Sequence, residues 1–92
     1  MSTHFEHVNK YAQLVLDHAA KLDEIVNNGS DNRRNKSIAI SHLSGIKENI
    51  DKMNLPKWQA TRLKDAPYTD SSLKGRYYDY YANELEEWLD EN

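Results

Sequence analysis

Arg33, Arg34, Lys36 and Ser37 place three cations and a hydroxyl within five residues, at a point where a helix is predicted to begin. Backbone N–H groups at a helix start lack intrahelical partners and the helix dipole is positive there, so such a cluster suits a phosphate or another anion. The same cations would equally offset Asp31 and the acidic C-terminal residues, and the sequence leaves both roles open. A second group, Tyr77, Tyr78, Tyr80 and Tyr81, follows Lys74 and Arg76. Phenol rings stack on nucleobases while neighbouring cations hold phosphates. Four tyrosines in five residues cannot share one helix face, so some belong to the core and others to an exposed surface or interface. Tyr11, on a widened apolar face of the first predicted helix, completes the candidate ligand-contacting set.

Other chemistries find less support. His4 and His7 lie one helical turn apart, but no Glu-flanked pair with four-residue spacing occurs, and His18 and His42 sit where a surface or seam-edge role is commoner. No metal site and no cofactor is expected. The serines occupy cap-like or helical positions without the strand-turn-helix setting that exposes a nucleophile. The acids of the tail read as solvated surface. Gly29, Gly45 and Gly75 are too scattered to form a phosphate loop. A non-enzymatic binding protein is the expectation.

These groups must be positioned by a small scaffold. Ninety-two residues fit one domain whose core is limited, which predicts marginal stability unless copies associate. The absence of cysteine removes disulfides and thiolate metal sites and suits a reducing cytosol. The opening residues lack the basic and apolar regions of a secretory signal, and no apolar run approaches membrane-spanning length, so a cytoplasmic protein without membrane contact is expected. The net charge of −3 hides an uneven distribution: −2 over residues 1–29, +5 over 30–64 and −6 over 65–92. A basic middle beside an acidic tail suits an anion-binding surface or head-to-tail pairing between segments.

Periodicity predicts an all-α fold. Thr3 and Glu6 form a capping-box pattern, and Phe5, Val8, Ala12, Val15, Ala19, Leu22 and Val26 then alternate steps of three and four, the spacing of a helix-packing seam. Asn27-Asn28-Gly29 stops this helix. Ser30, Asp31 or Asn32 would cap a second helix with its own seam, Ala39, Leu43, Ile46, Ile50 and Met53. The short connection predicts an antiparallel hairpin over residues 3–54 within a single domain, 1–92. Leu55-Pro56 breaks it, a short helix through Trp58 and Leu63 follows, and Ala66-Pro67-Tyr68-Thr69 reads as a connector. A final helix from about Asp70 carries Leu73, Tyr77, Tyr81, Leu85 and Trp88 on one stripe, weakened by Gly75 in its first turns and frayed over Glu84 to Glu91. Tyr11, Leu14, Leu16 and Ile25 widen the first seam beyond one partner, so the C-terminal segment, 55–92, or a second copy must cover them.

The run Arg34-Asn35-Lys36-Ser37-Ile38-Ala39-Ile40-Ser41-His42-Leu43 resembles the signature of the helical-hairpin domain of phage anti-CBASS and Thoeris-inhibiting sponges. That pattern runs Arg, any residue, Lys, Ser, aliphatic, Ala, aliphatic, Ser or Thr, any residue, Leu, after a first helix and a short loop. The close match covers about ten residues, and the chain departs from the pattern after Leu43, where Ser44-Gly45-Ile46 replaces acids and a tryptophan. The resemblance implies a homo-oligomer in a host cytoplasm that sequesters a cyclic oligonucleotide or a cyclic ADP-ribose-type signal without cleaving it. Long nucleic acid is not an expected partner. The alternative from composition is an inhibitor or adaptor that binds a host protein through its acidic, Tyr-rich C-terminal helix.

Overall fold

A computed structural model of the chain describes residues 3–29 and 33–89, with side chains from Asn9 onward. The described residues form helices and turns, with no strand among them. Helix α1 spans Thr3–Asn28 and α2 spans Arg33–Lys52. In the first seam Ala12, Val15, Ala19 and Leu22 are buried, and in the second Ile46, Ile50 and Met53; Val26, Ala39 and Leu43 pack half-buried against them. Facing positions are Tyr11 with Lys52, His18 with His42 and Gly29 with Asn35. The numbers fall on one helix as they rise on the other, so the two lie antiparallel. Gly45 permits their close approach, since a Cβ there would stand 2.6 Å from the His18 ring. The expected contributions of Thr3, Phe5, Glu6 and Val8 lie outside the described side chains, and those of Ser30, Asp31 and Asn32 outside the described residues.

Two departures come after Met53. Helix α3 spans Lys57–Thr69 and runs through the segment expected to be a connector, with Pro67 inside its last turns. A proline there cannot donate to the carbonyl four residues back, Leu63. That carbonyl instead accepts a 3.2 Å hydrogen bond from the Tyr81 hydroxyl, on another element, so the break expected from the local sequence is compensated by tertiary structure. The final helix, in contrast, is divided. A 3₁₀ turn over Ser71–Leu73 is capped by Asp70, whose carboxylate accepts from the Ser72 backbone N–H. Gly75 then takes φ +86°, a left-handed conformation that favours glycine, and α4 covers only Tyr77–Glu84 before a second 3₁₀ turn at Glu86–Trp88. The stripe survives the division: Leu73, Tyr77, Tyr81 and Leu85 are buried and Trp88 is half-buried.

Helix α1 holds this broken segment in place. The Asp23 carboxylate accepts from the backbone N–H groups of Tyr77 (2.7 Å) and Tyr78 (2.9 Å), capping α4 from a neighbouring helix. One turn along, the Asn27 amide donates to the Gly75 carbonyl. Helix α4 packs on α1, and Leu16 is buried while Tyr11, Leu14 and Ile25 are half-buried. The chain thus covers Leu16 fully and Tyr11, Leu14 and Ile25 in part, and among the described side chains the large exposed apolar ones are Ile38, Ile40, Trp58, Tyr68 and Tyr78. The molecule measures 45 × 27 × 19 Å. Its length follows from α1, whose 26 residues extend about 39 Å at 1.5 Å per residue. No helix among the described residues is long and apolar enough to cross a membrane.

Candidate functional site

The basic cluster at the start of α2 does not act as one group. Successive residues on a helix are rotated by about 100°, so Arg33, Arg34, Lys36 and Ser37 diverge. All four are exposed. Lys36 lines a cavity of about 360 Å³ together with Asn35, Ala39, Ile25, Val26 and the turn at Gly29. Arg33, Arg34 and Ser37 do not line it. Its second cation is Lys74, brought from the turn between the Ser71–Leu73 segment and α4. The Asn27 bond to Gly75 anchors that turn beside the C-terminal end of α1. Two lysines 38 residues apart in sequence thus line one cavity, and opposite charge is favoured beside them. A second cavity of about 350 Å³ lies beyond Gly29 and Asn35, lined by Lys21, Glu24, Ile38 and His42 among others.

The tyrosines separate from this site and from one another. Tyr81 is fully buried and Tyr77 nearly so, which removes both rings from contact with a ligand in the isolated chain. Their phenols, and that of half-buried Tyr80, titrate above the ordinary value because burial disfavours the phenolate, reinforced by Asp23 at Tyr77 and Glu84 at Tyr80. Tyr80 also meets Tyr81 edge-on at 5.1 Å. Only Tyr78, 44% exposed, keeps a ring surface open in this run. Tyr11 lies toward the opposite end of α1, half-buried, with the Lys52 ammonium 5.7 Å from its ring centroid.

Two features were not anticipated. His18 and His42 approach Nδ1 to Nδ1 at 3.0 Å across α1 and α2, so one ring donates and the other accepts. The His42 pKa is lowered, first by burial, then by His18 and Lys21. Among the described residues no three metal-ligating side chains come together. The other feature is a groove of about 450 Å³ at the far end of the molecule, walled by Pro56, Trp58 and Trp88 and edged by Glu84, Glu86 and Glu87. Trp58 is 66% exposed, with the Arg62 guanidinium over its ring at 5.3 Å and in turn paired with Glu84. Proximity of Trp58 and Trp88 depends on α3 and the last 3₁₀ turn meeting in space, for which the sequence holds no local sign.

No family model, no curated protein and no solved structure matches this chain.

Proposed function

We propose that the chain is a non-enzymatic capture protein, a sponge that binds a phosphate-bearing cyclic oligonucleotide or cyclic ADP-ribose-type signal and holds it unchanged in a host cytoplasm. The observation that carries this reading is the convergence of Lys36 and Lys74 on one cavity beside the Asn35 amide. It agrees with the resemblance of residues 34–43 to the sponge signature. At about 360 Å³ the cavity lies near the lower end of the roughly 300–1,000 Å³ common for small-molecule sites. It suits one phosphate-bearing half of such a ligand, and a second copy would supply the other half.

Isothermal titration with a panel of cyclic dinucleotides and cyclic ADP-ribose tests the reading. Each charge-assisted contact to phosphate is worth roughly 1.5–3 kcal/mol, so Lys36→Gln with Lys74→Gln lowers affinity by about a hundredfold or more. Arg34→Gln, outside the cavity, has a much smaller effect, and the ligand is recovered intact from heat-denatured complex. Absence of binding, or equal losses at Arg34 and Lys36, rejects the site. The alternative, an inhibitor docking a basic host protein on the C-terminal segment, is favoured by exposed Tyr78 beside exposed Asp79. Loss of such a partner on Tyr78→Ala, with Lys36→Gln silent, would replace the sponge reading.

A further inference from the structure

The tryptophan groove and the outer face of α2 are complementary, and no single chain can bring them together. On α2 the positions Arg33, Ser37, Ile40 and Ser44 follow steps of four, three and four and so share one face. All are exposed, and Ile40 is 63% exposed. It stands as an apolar knob among small hydroxyl side chains, with Arg33 about two turns away. The groove offers the converse: two indoles and a proline around a 450 Å³ space, with Glu86 and Glu87 exposed at its edge and without an ion-pair partner among the described residues. Within one molecule Ile40 is about 20 Å along the helix axis from the end of α2 near which the groove opens. Pairing must therefore be between molecules, joining unlike surfaces.

We propose that the Pro56–Trp58–Trp88 groove receives the Ile40 knob of a second copy, with Arg33 of that copy meeting Glu86 and Glu87. The occupant is argued from charge: residues 33–44, which hold Ile40, carry three cations and no acid, while residues 84–87 at the edge of the groove carry three acids and no cation. Such a contact is heterologous, so each molecule keeps one free knob and one free groove, and assembly proceeds to a ring or an open chain. Lys36 and Lys74 stay on their own cavity. The proposal shares self-association with the sponge reading but not its ligand, and either can fail alone.

Sedimentation velocity on the full chain and two variants tests it. Wild type forms species larger than a dimer as concentration rises and dissociates as salt is added. Ile40→Asp removes the knob and Trp58→Ala the groove. Both sites are more than 60% exposed, so circular dichroism stays unchanged while each variant alone associates about thirtyfold or more weakly, the loss expected at a central anchor. Mixed one to one, the intact groove of the first takes the intact knob of the second and gives a heterodimer that grows no further. Lys36→Gln with Lys74→Gln leaves association intact while abolishing nucleotide binding if the sponge reading holds. A mixture that stays monomeric overturns the proposal, as does a monomeric wild type. So does a monomer whose groove binds a labelled Arg-rich, Ile-containing peptide in a Trp58-dependent way, since the occupant is then a foreign protein.

Discussion

Tyr81→Phe deletes one oxygen from the core and isolates what that oxygen does. Tyr81 and Leu63 are both fully buried, so water cannot replace the hydroxyl that donates to the Leu63 carbonyl at 3.2 Å. That carbonyl is the one Pro67 leaves without its usual helical donor. Leaving such a group unpaired costs about 1–3 kcal/mol, whereas the net worth of an ordinary hydrogen bond is only about 0.5–1.5 kcal/mol. A domain of this size has roughly 5–14 kcal/mol in total, and with a urea m-value near 1 kcal/mol/M the midpoint falls by about 1–3 M.

The same logic predicts its own rescue. Pro67→Ala restores an N–H four residues from Leu63, so in the Tyr81→Phe background it recovers much of the loss, while in wild type the carbonyl already has a donor and the gain is smaller. Equilibrium urea denaturation of the four proteins, followed by the fluorescence of Trp58 and Trp88, gives the coupling energy, expected on the order of 1 kcal/mol. A cost below about 0.5 kcal/mol for Tyr81→Phe, or additivity with Pro67→Ala, would refute the claim that the hydroxyl stands in for the missing proline donor.

Two further outcomes follow from the contacts of α1. Asp23→Ala removes the cap from α4 and destabilises the protein by about 1–2 kcal/mol, measured in the same denaturation assay, and hydrogen exchange at the Tyr77 and Tyr78 amides accelerates more than exchange in α2. The lowered His42 pKa means that the unfolded chain binds the proton more readily, so stability is present above the unfolded value near 6.5 and declines as pH falls through the folded value; the urea midpoint drops as pH falls below about 6.5, and His42→Gln flattens the profile.

The helices α1 and α2 were legible because each writes a complete seam in local periodicity. Ala12 to Leu22 and Ile46 to Met53 need no information beyond their spacing to be placed in a core. The C-terminal half was less legible because its decisive partners are distant. Pro67 reads as a breaker until Tyr81 supplies the donor from 14 residues away. Gly75 reads as a weak helical position until Asn27 and Asp23 fix the turn around it and cap the helix that follows. The cavity of Lys36 and Lys74 was half legible for the same reason: Lys36 was visible beside a predicted helix start, whereas Lys74 enters only through that turn.

Proximity in sequence within α2 proved a poor guide to a shared site, and helix geometry says why. Arg33 and Lys36 are three residues apart and emerge about 60° from one another, while Arg34 and Lys36 diverge by about 160°. A ligand gripped by all three would have to wrap around the helix. The fold resolves this by giving Lys36 a partner on another element and leaving Arg33 and Arg34 outside the cavity. The same rotation that removes those arginines from the anion cavity makes Arg33 a neighbour of Ile40. The basic run therefore does not act as one group: Lys36 lines the cavity with Lys74, Arg33 shares a face with Ile40, and Arg34 emerges away from both.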